Sequence, residues 1–280
     1  MKLKVISPIV TVDWLHEHIK ANNVVVLDAT IKKVGSSEED SDNKYLIPNT
    51  RFFDLKNVFL DKNDEFPNTI PEENDFEEQV INLGVNIDSC IIIYDNIGTY
   101  SSPRAWWLFK VFGFHNVAVL NGGLPKWIQS GFEVADKYIE GFTKGNFTAN
   151  LIQELVTNYQ QVFENITSNE NCTIDARSNE RFLAKVPEPR KDLKGGHIPK
   201  SVSLPYTEVQ EDGEMKPKEE LIRMFDKINS ENKKFICTCG SGITACILAL
   251  ALEITGKTNY SVYDGSWTEW ASMPNLPIEK

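Results

Sequence analysis

Two tandem α/β domains, each a central parallel sheet flanked by helices, are the fold class this sequence predicts. Three observations lead there. The chain has 280 residues, room for two domains at ~100–200 residues each. It repeats itself once at long range: Val24-Val25-Val26-Leu27-Asp28-Ala29 returns as Cys172-Thr173-Ile174-Asp175-Ala176 at an offset of 147, and Ile47-Pro48 as Ile198-Pro199 at 151. Asn121-Gly122-Gly123-Leu124-Pro125-Lys126-Trp127 returns as Asp264-Gly265-Ser266-Trp267-Thr268-Glu269-Trp270 at 143. Ordered matches at nearly one offset mean two copies of one domain, because the period is far too long for a solenoid. Within each copy, short apolar runs alternate with helical patterns, as parallel strands and crossover helices require.

In the first copy, Asp13–Asn22 carries a helical pattern and Cys90–Tyr94 is a continuous apolar strand. Pro103–Val111 is the helix after it, with Trp106 and Trp107 as packing residues. Residues 135–150 hold two glycines and mixed charge and read as the connection, which places the first domain at 1–136, a linker at 137–149 and the second domain at 150–280. In the second copy, Cys172–Asp175 is a strand, Lys218–Asn229 a helix and Lys234–Thr238 a buried strand. Ala245–Thr255 is a helix stopped by Gly256, and Ser261–Asp264 is the last strand. Sites in such sheets lie at the carboxyl ends of the strands.

Composition narrows the function. Charged residues make up 25% and hydrophobic ones 41%, with 29 basic against 40 acidic side chains and a net charge of −11. An acidic surface disfavours nucleic acid and anionic membrane as partners. The strictly apolar run Ala245–Leu252 ends at Glu253, well short of the ~20 residues of a membrane span. MKLKVISPIV contains no long apolar signal core and no Arg/Ser-rich presequence, so a cytoplasmic setting is the expectation, with mitochondrial residence left open. Five cysteines, an odd number spread thinly, point to reduced thiols. Arg177 to Lys194 gathers six basic residues against Glu180, Glu188 and Asp192, a candidate anion site or a solvated basic loop.

One cysteine stands apart. Phe235-Ile236-Cys237-Thr238 runs into Cys239-Gly240-Ser241-Gly242-Ile243-Thr244 and then into the helix from Ala245. A turn with two glycines between strand and helix curls its N–H groups inward, and the N–H dipoles and the helix N-terminus both favour an anion at its start. Cys239 is therefore the candidate nucleophile. Cys90, Cys172, Cys237 and Cys246 fall on strands or an apolar helix and read as small buried hydrophobes. Cys237 and Cys239 are too close for a C-x-x-C pair. A cysteine phosphatase needs Arg six positions after its Cys; Ala245 stands there, which argues against that class.

With these pieces in order, the sequence resembles the two-domain rhodanese-type sulfurtransferases, on the 3-mercaptopyruvate side of that family. The resemblance is carried by Leu27-Asp28-Ala29-Thr30, Arg51-Phe52-Phe53-Asp54-Leu55, Ser102-Pro103-Arg104-Ala105-Trp106-Trp107 and Leu120-Asn121-Gly122-Gly123. In the second half it is carried by Asp175-Ala176-Arg177, Gly196-His197-Ile198-Pro199, the Cys239 loop and Tyr263–Trp270. It implies two rhodanese-like domains, the second holding the Cys that accepts sulfane sulfur as a persulfide and the first a non-catalytic copy, with Asp95 in the place of Cys239. It implies that Gly240, Gly242, Ile243 and Thr244 line the donor site, with Ser241 as a second catalytic residue whose hydroxyl hydrogen-bonds donor or thiol. It further implies that Arg181 and Arg190 hold the donor's carboxylate and carbonyl, while Asp175, Arg177 and His197 read as structural. Neutral Gly240 and Ser241 after the Cys match the mercaptopyruvate-preferring relatives, whereas thiosulfate-preferring ones carry basic residues there. A thiol acceptor such as thioredoxin, or cyanide, completes a ping-pong cycle without metal or organic cofactor. In the relatives a His before Ile-Pro in the first domain is proposed to relay a proton through Ser241; Leu46 occupies that position here, which implies slower turnover. Two alternatives stay open at this point: a thiosulfate:cyanide sulfurtransferase, and a low-turnover sulfur-carrying or partner-binding module.

Overall fold

The computed structural model describes residues 2–32 and 45–280. The chain divides into two compact units: residues 1–62, 70–152 and 212–215 form the first, and residues 63–69, 153–211 and 216–280 the second.

In the first unit the strands are β1 (Ile9–Val10), β2 (Val24–Asp28), β3 (Thr50–Phe52), β4 (Cys90–Tyr94) and β5 (Val117–Leu120). They pair in parallel in the order β1-β5-β4-β2-β3. The helices are α1 (Val12–His18), α2 (Glu73–Asn82), α3 (Ser102–Val111) and α4 (Gly123–Gln129). β4 is apolar throughout and buried throughout because it has a strand on each edge and helices over both faces. Trp106 and Trp107 are buried on α3, as their place in the pattern predicts. α1 is shorter than the predicted Asp13–Asn22. Thr11 caps its start by accepting from the Trp14 N–H, and the chain turns after His18 so that the Asn23 side chain can bond Leu3 and Asp88. Residues 137–149 form no helix or strand and lie along the first unit. Ile139 donates to Thr50, Gly145 to Ile81 and Phe147 to Val85.

The second unit holds β6 (Val156–Thr157), β7 (Asn171–Asp175) and β8 (Val202–Ser203). The two-residue strand β9 (Gln210–Glu211) follows outside its sheet, β10 (Glu214–Met215) falls in the first unit, and β11 (Lys234–Thr238) and β12 (Tyr260–Tyr263) complete the second. The sheet order is β6-β12-β11-β7-β8, again parallel, the same pattern as the first sheet with each strand replaced by its repeat. The helices are α5 (Tyr159–Ser168), α6 (Asn179–Phe182), α7 (Lys218–Ile228), α8 (Ala245–Thr255) and α9 (Ser266–Ser272). The eight-residue apolar run is the buried face-all-round stretch of α8, which ends where Gly256 adopts φ +86°. β12 stops at Tyr263, one residue before the predicted end, because its partner β6 ends at Thr157; the last bond is from the Asp264 N–H to the Thr157 carbonyl. Among the described residues no helix is long and apolar enough to cross a membrane.

Candidate active site

β11 delivers Cys239 to the carboxyl edge of the second sheet, and the loop 239–244 joins it to α8. The loop is held from outside by its carbonyls. Trp267 N–H donates to the Cys239 carbonyl at 3.0 Å, and Thr268 N–H and Oγ1 donate to the Gly240 carbonyl at 2.9 and 2.6 Å. Asn68 Nδ2 donates to the Ser241 carbonyl at 3.1 Å, and the Cys246 thiol to the Gly242 carbonyl at 3.2 Å. In a planar trans peptide the N–H points opposite to the C=O. Four anchored carbonyls in succession therefore turn the N–H groups of residues 240–243 toward the concave side. Gly242, at φ +78°, supplies the left-handed step such a curl needs. Ile243 is buried, and half-buried Thr244 sits at the helix N-cap without a side-chain cap.

The first unit shows what this loop does with an anion. There the Cys239 position is Asp95, whose carboxylate accepts the N–H groups of Ile97 and Gly98 on Oδ1 (3.0 and 3.1 Å) and of Tyr100, Ser101 and Ser102 on Oδ2 (2.8, 3.0 and 2.9 Å). The Ser102 hydroxyl adds a bond of 2.6 Å. Leu124 N–H donates to the Asp95 carbonyl as Trp267 N–H does to that of Cys239. Five backbone donors on one buried carboxylate make a pre-built anion cradle.

Beside Cys239 lies a cluster of five charges. Buried Arg177 is bound to Asp175 (Nη2–Oδ2 2.7 Å) and to Glu188 (Nη1–Oε1 3.0 Å). Burial alone would lower its guanidinium, but the carboxylates of Asp175 and Glu188 outweigh this and hold its pKa above the usual value. Arg181, a quarter exposed, is ion-paired with the other oxygen of Glu188 at 2.6 Å. Arg190 donates to Thr268 Oγ1 at 3.0 Å, and among the described residues no carboxylate pairs with it. Its pKa is lowered, first by burial and then by Arg181, while an anion at Cys239 and the Glu188 carboxylate act in the opposite sense. The three arginines and two carboxylates thus leave one net positive charge, at Arg190. Gly240 admits this cluster to the loop: a Cβ there would stand 3.1 Å from Arg181 Nη2.

The structure thus brings the predicted Cys239, Gly240, Arg181 and Arg190 together, with Arg177 and Asp175 as the frame. His197 stacks on Phe182 (3.7 Å between ring centres) and its Nδ1 meets the Phe182 carbonyl, a packing position. None of the five cysteines is paired in a disulfide, and Cys172 is half-buried rather than buried. Burial pushes the Cys90 thiol up to about 11, raises that of Cys172, and raises Cys237 strongly. No cluster fit to hold a metal exists among the described residues.

Leu46 is buried in the first unit, its backbone paired with Ala135. The side chain that reaches the Ser241 hydroxyl is Asn68, at 3.0 Å. Four further residues at the site were not singled out from sequence: Asn68, Glu188, Thr268 and Ser266. Ser266 holds φ +52°, accepts the Cys239 N–H at 3.2 Å and lies 3.9 Å from Cys239 Sγ. Its repeat partner is Gly123, also at φ +53°, so a glycine aligned with a serine in a turn was the available signal.

A model of the rhodanese-like domain matches residues 11–130 and again 159–273. The chain belongs to the rhodanese family. It is 36% identical over 98% of its length to thiosulfate/3-mercaptopyruvate sulfurtransferase 1, mitochondrial, of Arabidopsis thaliana, covering 78% of that protein. It is 36% identical over 94% of its length to the thiosulfate sulfurtransferase of Bos taurus, covering 91% of it. The crystal structure of SseA from Escherichia coli, described as a 3-mercaptopyruvate sulfotransferase, superposes with a TM-score of 0.83 at 34% identity, covering 93% of this chain and 99% of that one. The protein is a sulfurtransferase, and the predicted α/β architecture of two rhodanese-like domains is borne out.

Proposed function

We propose that the protein moves sulfane sulfur from 3-mercaptopyruvate to a thiol through a persulfide on Cys239, releasing pyruvate. The observation that carries the choice of donor is the net single positive charge of the arginine cluster. Mercaptopyruvate brings one carboxylate, which Arg190 can meet; thiosulfate is a dianion and leaves one charge unmatched beside Glu188. Gly240 and Ser241 add no cation.

In the donor step the Cys239 thiolate attacks the donor sulfur. The new S–S bond takes its electron pair from Cys239, and the pair of the broken S–C bond passes to the leaving carbon and its carbonyl as the pyruvate enolate. The proton of the donor thiol balances the enolate, so the products are pyruvate and a persulfide anion. The loop N–H groups hold that anion as the N–H groups of the first unit hold the Asp95 carboxylate. In the acceptor step a thiol gives up its proton, attacks the outer sulfur and returns Cys239 as thiolate. A dithiol protein such as thioredoxin, or cyanide, suits this step. The first domain is read as the non-catalytic copy, because Asp95 fills its cradle and cannot form a persulfide.

The thiosulfate reading draws support from the bovine relative. Steady-state kcat/KM for the two donors with one acceptor separates them. Preference for mercaptopyruvate by about tenfold or more is expected, since a charge-assisted hydrogen bond contributes ~1.5–3 kcal/mol and ~1.36 kcal/mol is tenfold. Equal or better use of thiosulfate overturns the donor assignment.

A further inference from the structure

Asn68 belongs to no repeat in the sequence, yet it lies against the loop that holds Cys239. It comes from the stretch 63–69 that packs with the second unit, is 5% exposed and holds φ +65°. Its Nδ2 stands 3.1 Å from the Ser241 carbonyl and 3.0 Å from Ser241 Oγ. A carbonyl only accepts, so the amide atom that faces it must be the NH2 group. The orientation of the Asn68 amide is thereby settled without reference to the hydroxyl. The two hydrogens on Nδ2 serve the two oxygens, which makes Ser241 Oγ an acceptor in this contact.

A hydroxyl carries one hydrogen and two lone pairs. One lone pair of Ser241 is taken by Asn68, and among the described residues its oxygen makes no other hydrogen bond. The hydroxyl hydrogen is left directed away from Asn68. We propose that Asn68 is a positioning residue that sets the direction of the Ser241 hydroxyl, so that it donates to the sulfur donor bound at the Cys239 loop. This rests on the reading of Cys239 as the persulfide-forming nucleophile.

As the S–C bond breaks, negative charge leaves Cys239 and grows on the carbonyl oxygen of the departing enolate. A hydroxyl already aimed at that oxygen stabilises it without reorienting, and no proton changes hands. An amide on the far side is suited to this task because it donates and carries no charge. A carboxylate in its place would accept from Ser241, turn the hydroxyl round, and face the Ser241 carbonyl with a like partial charge.

The test is a double-mutant cycle of Asn68→Asp and Ser241→Ala, read by single-turnover pyruvate release and by intact mass for the sulfur added to Cys239. Asn68→Asp is expected to slow the donor step by about 10–100-fold at saturating mercaptopyruvate, with KM changed by no more than about threefold, since the lost interaction grows in the transition state. In the Ser241→Ala background the same change should cost no more than about threefold, because no hydroxyl remains to be aimed. The full Asn68→Asp loss persisting in that background would make Asn68 a mere tether of residues 63–69 and overturn the proposal. Unchanged kinetics of the single variant would overturn it as well. Thermal unfolding accompanies each variant. If Asn68→Asp does not fold, Asn68→Ala carries the same cycle, with a smaller loss that must also vanish without the hydroxyl. Wild-type protein that gains no sulfur on Cys239 contradicts the underlying function; sulfur gained with no Asn68–Ser241 coupling contradicts this inference alone.

Discussion

Arg190 and Arg181 approach the Cys239 loop together, but among the described residues a carboxylate pairs with Arg181 and none with Arg190, so replacing each with alanine should not cost the same. Arg181 Nη2 is 2.6 Å from Glu188 and the side chain is 25% exposed. A donor carboxylate meets it as half of a neutralised pair, partly screened by solvent. Arg190 is bound to the neutral Thr268 hydroxyl at 3.0 Å and so offers an uncompensated guanidinium fork. Losing one charge-assisted bond costs ~1.5–3 kcal/mol, or roughly 10- to 150-fold in kcat/KM. Arg190→Ala should fall in that range, and Arg181→Ala at its lower end or below, about tenfold or less. Arg190→Lys keeps the charge without the fork and should lie between wild type and alanine. The assay is steady-state pyruvate release with 3-mercaptopyruvate, alongside transfer from preloaded protein to an acceptor thiol, which should change less. Folded variants in which Arg181→Ala costs as much as Arg190→Ala would refute the charge count on which the donor assignment stands.

Asp95→Ala strips the acceptor from five backbone N–H groups and should lower stability by about 3 kcal/mol or more in urea unfolding, since each buried unsatisfied donor costs ~1–3 kcal/mol; a loss under 1 kcal/mol would mean the cradle is not a stabilising device. Alkylation at pH 8 should strike Cys239 and spare Cys90 and Cys237, because thiols whose pKa is raised by burial stay protonated, and so unreactive, below that value; peptide mapping that finds Cys90 modified in folded protein contradicts this. Leu46→His should leave kcat unchanged while lowering the melting temperature, since Leu46 is buried in the first unit; a rise in kcat would return position 46 to the mechanism.

Cys239 was legible because a strand, two glycines and a helix in one short span determine a backbone shape, and only one cysteine stands at its start. The basic segment from Arg177 to Lys194 was legible as a local charge surplus, and only the resemblance to the sulfurtransferases picked Arg181 and Arg190 out of it. Glu188 was visible only as a subtraction from that surplus, although it neutralises Arg181 and leaves Arg190 without a carboxylate partner among the described residues. That division depends on which side chains meet, and spacing along the chain does not encode it. Asn68 lies 173 positions from Ser241 in a stretch without periodicity, so nothing local announces the contact. The buried strands β4 and β11 and the helix α8 read directly from apolar runs, whereas two-residue strands such as β1 and β6 are too short to show a period. Asp95 was recognised as a residue unable to carry sulfur, but the five N–H groups around it, which expose the shape of the second loop, required the folded backbone.

The central claim, that Cys239 alone accepts sulfur from 3-mercaptopyruvate, is tested most directly by intact-mass measurement after brief exposure to that donor, followed by peptide mapping. The account predicts one added sulfur on the wild-type protein, located on Cys239 and removed by a thiol, with none on Cys239→Ser and full loading on Cys246→Ser. Sulfur on the Cys239→Ser protein, or none on the wild type while pyruvate is released, would contradict it.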